Sequence, residues 1–340
     1  MGLAADLWQA YRLRLQRRRL LYRALRKRRQ LRAVSVRTNA IKPAHILAAM
    51  TVRDEAVRLP HFLDHYRALG VDHFLIVDNG STDGSAEFLA KQPDVSLWST
   101  DASYKAARFG VDWLTWLQIR FAHGHWCLTL DADEILIYPY HDTRPLPALT
   151  AWLDAQGHRA FPAMMLDMYP KGPIDAEPYE QGADPFRILE WFDSGNYVIQ
   201  IQDPKRNLWI QGGPRARCFF ADNPRLAPTL NKTPLVKWNR RFVYVNSTHS
   251  LLPRGLNETY DFGSGEGPSG VLLHTKFLNT VVERSRIEKD RQEHFARSQD
   301  YAGYYDQVAA APTLWCADSS RLVGWRQLES MGLMSRGGWL

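Results

Sequence analysis

Between residues 46 and 130 short apolar runs alternate with amphipathic stretches, and this alternation constrains the fold more than any other feature of the chain. The run 46–52 reads as a buried strand, 56–69 has helical spacing up to Gly70, and 73–77 is a second strand closed by Asp78. A turn over 79–84 opens a helix at 85–91, and a strand follows at 95–99. An amphipathic helix over 104–122 then leads into the strand 125–130, which ends on Asp131, Ala132 and Asp133, and one more strand is expected at 159–166. Strands that alternate with helices require crossover connections, so the pattern predicts an α/β fold with a mostly parallel sheet flanked by helices.

Residues 170–270 are rich in Pro and Gly, with short strand-like pieces at 197–201, 208–211 and 241–245. They read as a loop-rich half of the same domain, followed by a charged helix over 280–297. The chain has 340 residues, 45% of them hydrophobic and 23% charged, which is enough to bury a substantial core. Cys127, Cys218 and Cys316 are too few and too scattered for a disulfide framework or a CxxC metal pair, so a reducing compartment is expected. No uncharged apolar run of about 18 residues occurs, and no apolar leader with a small-residue cleavage site is seen; the expectation is a cytoplasmic protein.

The net charge of +7 is unevenly placed. Residues 1–37 hold 12 Lys and Arg against Asp6 alone, leaving 31 basic and 35 acidic residues, a net −4, for the remainder. A body of that sign argues against nucleic acid as a partner. The arm over 7–31 interleaves Leu7, Trp8, Tyr11, Leu15, Leu20, Leu21, Tyr22 and Leu25 with arginines and lacks Gly and Pro, so it reads as a basic helix. Its place is either an anionic membrane surface, at the inner face of the cell membrane, or a solvated or partner-packed position.

Ligands of open parallel sheets sit at the carboxyl ends of the strands, where this sequence gathers Arg53, Asp54 and Glu55, then Asp78, then Asp131 and Asp133. Carboxylates so gathered repel one another unless a cation or a hydrogen-bonding ligand holds them ionised. The Asp-x-Asp pair supplies hard oxygen ligands suited to Mn²⁺ or Mg²⁺, which keep open positions for phosphate oxygens, and a metal–diphosphate site is expected. Asp83 reads equally as a ligand and as the cap of the helix that follows it.

The run MTVRDEAVRLPHFLDHYRALGVDHFLIVDNGSTDGS, followed by WCLTLDADEIL, resembles the family-2-like glycosyltransferases of the GT-A fold, in particular a bacterial subgroup with an R-[ND]-E turn after the first strand. The likeness covers residues 44–138 and extends more weakly through LDMYPKGP, GGPRAR, NKTPLVKW and LLHTKFL. It implies a GT-A domain over 44–300, with a nucleotide-sugar-binding half at 44–140 and an acceptor half at 141–300. The basic arm 1–37 precedes that domain and a C-terminal extension, 301–340, follows it.

The donor implied is a nucleotide-diphosphate sugar, UDP being the nucleotide the resemblance favours, and the acceptor a glycan or glycolipid. Base and ribose would lie near Arg53, Asp54, Glu55 and Asp78. Asp133 would bind the metal directly, and Asp131 would reach the metal, its water or the donor sugar. His274 is expected to complete the metal site, with His249 as its rival. Arg215, Lys232 and Lys237 are the cations considered for the diphosphate. For the general base of an inverting reaction Asp167 comes first and Asp193 second, because the family's usual Glu-Asp pair is absent. The sequence also lacks the QxxRW motif of processive synthases, which implies single additions. Tyr169, Trp191, Trp209 and Trp238 are aromatics that could face sugars or fill the core. Two other readings stay open: a sugar nucleotidyltransferase, whose GxGxRxxP-like loop is missing after the first strand, and a catalytically silent scaffold that binds membrane or nucleic acid through the arm.

Overall fold

The computed structural model describes residues 3–259, 267–291 and 302–339. An N-terminal helix α1 (Leu3–Lys27) and strand β1 (Arg32–Ser35) precede the alternating unit β2 (Leu47–Val52), α2 (Leu59–Ala68), β3 (His73–Asp78), α3 (Ser85–Ala90), β4 (Val95–Ser99), α4 (Val111–Phe121) and β5 (Trp126–Thr129). Next come β6 (Glu134–Ile137), α5 (Leu146–Ala155), β7 (Ala160–Asp167), β8 (Trp191–Asp193), the hairpin β9 (Tyr197–Gln202) and β10 (Asn207–Gly212), α6 (Gly213–Phe219) and β11 (Asn231–Lys237). The chain continues through β12 (Val243–Tyr244), β13 (Leu251–Leu252), β14 (Gly270–His274), α7 (Thr280–Arg291), α8 (Ala302–Ala309), β15 (Ser319–Arg321) and α9 (Trp325–Ser330).

Nine strands form one central sheet in the order β1-β4-β3-β2-β5-β11-β7-β14-β6. The expected α/β layering is what the chain adopts, and the block β4-β3-β2-β5 is wholly parallel. Alternate side chains of β2 enter opposite layers: Ala48, Met50 and Val52 pack with Phe62 and Tyr66 of α2 and Leu149 of α5, whereas Leu47 and Ala49 pack with Trp113 and Leu117 of α4. Strand β11 is antiparallel to both β5 and β7, which turns β7 back into the direction of β5. Strand β14 then runs parallel to β7. The carboxyl ends of β2, β3, β4, β5, β7 and β14 therefore share one edge.

Several local expectations change. The helix expected over 104–122 is broken, because Arg108, Phe109 and Gly110 all take positive φ (53°, 57° and 75°) and α4 starts only at Val111. A Cβ on Gly110 would lie 2.5 Å from Thr51 Oγ1, so that turn sits hard against β2. Strand β1, for which no expectation was stated, pairs antiparallel with β4 at the sheet edge. The half after 141 supplies the expected β7 to the central sheet and, beyond the short pieces foreseen, β11 and β14. The final helix, expected over 280–297, is described to Arg291, and the remainder of that range lies outside the described residues.

Candidate functional site

Register brings the chemistry together. His274 ends β14 opposite Asp167 at the end of β7, and on its other side opposite Glu134 at the start of the antiparallel β6. Asp133, one residue ahead of β6, is thereby placed at the same edge. His274 Nε2 lies 3.1 Å from Asp133 Oδ2, and its Nδ1 lies 2.6 Å from Asp167 Oδ1. The other Asp167 oxygen accepts from Arg215 Nε at 2.7 Å. Burial alone would push the carboxyl groups of Asp167 and Asp133 up. Arg215 and His274 outweigh it at Asp167, held at about 2, while His274, Arg58 and Lys276 hold Asp133 well below the ordinary carboxylate value. On His274 burial opposes charge, but Asp133 and Asp167 prevail and its pKa is raised.

Cations line this edge in excess of what the protein itself uses. Arg58, buried at the start of α2, gives Nη1 to Glu55 Oε2 at 3.0 Å and Nη2 to the Thr275 carbonyl and the Thr280 hydroxyl, while its Nε has no partner among the described residues. Arg215 Nη2 is likewise buried without a partner. Arg284 of α7 donates to the Glu55 carboxylate and the Asp54 carbonyl. Lys276, two residues beyond His274, has no ion pair among the described residues; its Nζ lies 5.9 Å from the Tyr304 ring centroid. Burial and then Arg215 lower the Lys276 pKa against the pull of Asp133 and Asp167. Arg58, Lys276 and Arg284 were not foreseen from the sequence; the His-x-Lys spacing at a strand end was the one local signal for any of them.

At the expected nucleotide end two loops are stitched together. Asp54, with φ of 52°, accepts from Thr82 N at 2.6 Å through Oδ1, and its own N–H donates to Ser81 Oγ. Glu55 N donates to Ser85 Oγ. Asp83 accepts from Ala56 N, Ser85 N and Ser85 Oγ, the turn role rather than an open ligand position. Arg53 donates to the Asn79 carbonyl at 3.1 Å. Asp78 spends one oxygen on Gly80 N and Ser81 N and keeps Oδ1 buried without a partner among the described residues.

The remaining expected residues have defined surroundings. Asp131 is half exposed and accepts from Lys232 Nζ at 3.1 Å, and the same ammonium lies 2.7 Å from Glu134. Lys232 is thus committed to two carboxylates, and Asp131 faces it. Lys237 pairs at the surface with Asp154, 2.7 Å away, remote from the phosphate position expected of it. His249 is held neutral, first by burial and then by Lys232, with its pKa pushed down to about 3, and its Nδ1 lies 2.6 Å from the Asn231 carbonyl. Asp193 accepts from the Tyr169 hydroxyl and from Arg217 at 3.0 Å. Trp238 is core, and Trp191 meets Trp315 edge-on with Lys171 over both rings.

Among the described residues no three His, Cys, Asp or Glu side chains converge as a closed metal site. Asp133 and His274 do fit as two ligands. With the Nδ1 proton directed to Asp167, a cation that displaced the Nε2 proton would find that nitrogen and the Asp133 carboxylate side by side, and Asp167 would orient the metal-binding imidazole. Two protein ligands suffice for ions that take phosphate and water oxygens as the rest of their shell. Beside the edge, a cavity of about 10 Å³ lies among Arg58, His61, Phe62, Ala132, Ile135, Tyr179, Pro185 and Thr275. No helix among the described residues is long and apolar enough to cross a membrane.

No family model and no curated protein matches the chain. Among solved structures, a 4-diphosphocytidyl-2C-methyl-D-erythritol synthase is similar over 41% of this chain and 67% of its own, at 18% identity and a TM-score of 0.25. A putative glucose-1-phosphate thymidylyltransferase from Bacillus anthracis, in complex with a sucrose, is similar over 77% and 83% at 8% identity and a TM-score of 0.29. At these scores the likeness assigns neither activity nor substrate.

Proposed function

We propose that the protein is a metal-dependent transferase acting on a nucleotide-diphosphate sugar, and specifically a glycosyltransferase that passes the sugar to a hydroxyl of a glycan or glycolipid. The observation that supports this reading above the others is the Asp133–His274 pair set among cations whose donors are unspent among the described residues: the buried Arg58 Nε and Arg215 Nη2, and Lys276, which has no ion pair there. Buried N–H groups without partners are costly and imply a ligand with acceptor oxygens. A diphosphate supplies them.

In this reading Asp133 and His274 hold Mn²⁺ or Mg²⁺, which when bound neutralises charge on the diphosphate. Asp167 is a positioning residue that fixes the His274 ring, and its double engagement replaces the general-base role expected for it. Asp193, tied to Tyr169 and Arg217, likewise shapes the acceptor half rather than standing free as a base. Lys276, Arg58 and Arg215 stabilise the charge that grows on the leaving diphosphate as the bond to the sugar breaks. Asp78 Oδ1, buried and unspent, accepts a hydrogen bond from the base or ribose.

Nucleotidyl transfer from a nucleoside triphosphate to a sugar phosphate makes similar demands of a site and is the second reading. The turn after β2, Arg53-Asp54-Glu55, has no glycine-rich stretch to cradle a triphosphate, which favours the first. Incubation with a panel of nucleotide sugars and Mn²⁺ should release nucleoside diphosphate. Release of pyrophosphate from a triphosphate plus sugar phosphate would instead establish the second reading. Thermal stabilisation by no nucleotide, with or without metal, would remove both and leave a scaffold.

A further inference from the structure

Helix α1 carries two apolar stripes, and only one of them is used. Its 25 residues span about 37 Å at 1.5 Å per residue. Leu13, Leu20 and Ala24 are buried, and Leu13 and Leu20 pack with Val243, Val245 and Leu252 beside β12 and β13. Leu7, Trp8, Tyr11, Leu15, Tyr22 and Leu25 fall within an arc of about 100° on the opposite side. Each is between 41% and 64% exposed. A helix resting on a protein surface ordinarily turns a polar face outward. Here the outward arc holds three aromatic rings and three leucines, with Arg18 among them and Arg26 at the edge.

The charge around that stripe is equally unspent. The helix has eight Lys and Arg against Asp6. Arg23 is directed inward, with Nε 2.7 Å from the buried Asp112 and Nη2 on the Ala106 carbonyl. Among the described residues Arg12, Arg14, Arg18, Arg19 and Arg26 have no acidic partner, and Arg14, Arg17, Arg18 and Arg241 crowd one another. An exposed apolar and aromatic stripe flanked by uncompensated arginines complements an anionic bilayer, with the rings at headgroup depth and the guanidinium groups on the phosphates. A second copy of the helix would set eight like charges against eight. RNA would engage the arginines and leave the leucines in water.

We infer that the outward face of α1 lies in the plane of an anionic membrane and that its inward face fixes the orientation of the domain upon it. The mount is rigid: besides Arg23, Gln30 accepts from Trp113 Nε1 at 2.9 Å and Arg28 lies over Trp116. Because Ala106 and Asp112 flank the start of α4, just after the carboxyl end of β4, the last turns of α1 stand beside the sheet edge that carries the site.

Co-sedimentation of the full-length protein tests this, with neutral phosphatidylcholine vesicles and with vesicles holding roughly 30% phosphatidylglycerol. The wild type should partition to the anionic vesicles and be released at about 1 M salt, where the Debye length is about 3 Å. Trp8→Ala/Tyr11→Ala/Leu15→Ala should weaken partition about tenfold or more. Arg14→Gln/Arg18→Gln/Arg19→Gln should weaken it about a hundredfold, from about 1 kcal/mol for each charge near the surface. Both variants should keep the wild-type melting temperature, since every altered side chain projects outward. Equal partition of wild type and both variants would overturn the inference. So would a vesicle-free dimer that the first variant dissociates, or RNA retention that needs the arginines alone and displaces the vesicles. Vesicle binding is read separately from turnover, so the fate of the transfer reading does not decide it.

Discussion

Asp133 Oδ2 and His274 Nε2 stand 3.1 Å apart although 141 residues separate them in the chain. Strand β14 makes the pairing, because it lies between β6 and β7 and ends level with both acidic strand termini. If these two side chains act as one unit, Asp133→Asn and His274→Gln should each abolish the Mn²⁺-dependent part of nucleotide stabilisation, and the double variant should lose little more. Nucleotide at about 100 times its Kd stabilises the wild type by about 2.7 kcal/mol, which a thermal shift resolves readily. Turnover should fall by about 10²–10³ in each variant. A full metal-dependent shift in either variant would exclude it from the metal site.

The pairing also has a pH signature in chelated protein. Burial disfavours charge on His274, yet Asp133 and Asp167 raise its folded-state pKa above 6.5. A raised value contributes stability that is complete below the unfolded pKa of about 6.5 and is lost as pH climbs through the folded one. Asp167, held at about 2 by Arg215 and His274 against burial, works the other way. Its contribution is present above the unfolded value and vanishes as pH falls toward about 2. Melting temperatures in excess EDTA should therefore decline above pH 6.5 for the wild type. His274→Gln should flatten that limb and leave the acid limb sloping, and an unchanged alkaline limb in the variant would contradict the assignment.

How much of this was legible before any coordinates depends on how local the signal is. Asp78 and Asp133 end apolar runs, so the sequence alone places them at a strand edge. The cations do not announce themselves: Arg58 belongs to a helix start, Arg284 to α7, and only the packing of the α7 turn over the Arg53-Asp54-Glu55 loop brings them beside Asp133. Strand β11 was hidden by Pro234, which the sheet tolerates through a register shift between Lys232 and Leu235. The break before α4 was hidden for another reason. Gly110 signals a turn, but Arg108 and Phe109 at positive φ are held there by their surroundings, including Arg108 Nη1 on the Tyr244 and Val245 carbonyls.

Lys276 separates phosphate chemistry from mere packing. Lys276→Met keeps most of the stem and removes the charge, so the fold should survive and melt near the wild-type temperature. Burial and Arg215 already lower the pKa of this lysine, which makes its loss inexpensive for the free protein. With one donor to the leaving group gone, kcat should fall by about 10²–10³, and inhibition by the nucleoside diphosphate product should weaken with it. An unchanged product Ki beside wild-type turnover would show that Lys276 faces no phosphate.

The mount of α1 predicts a coupled loss of stability and of helix docking. Asp112 is fully buried at the first turn of α4 and accepts from Arg23 Nε and Arg108 Nε, each at 2.7 Å. Asp112→Ala leaves two arginines facing each other without their shared counter-charge, a change that costs about 3–5 kcal/mol for a buried pair. Because Arg23 is 39% exposed it can swing into water, whereas Arg108, 17% exposed and tied to the Tyr244 and Val245 carbonyls, cannot do so as easily. The loss should therefore appear toward the lower end of that range in denaturant titrations. Hydrogen exchange should speed up in α1 and the first turn of α4 while β2 and β3 keep their protection. Arg23→Ala, which spares the Arg108 pair, should free α1 to the same degree at a smaller cost in global stability. Equal protection of α1 in both variants and the wild type would mean that Leu13 and Leu20 hold the helix without help from the ion pair.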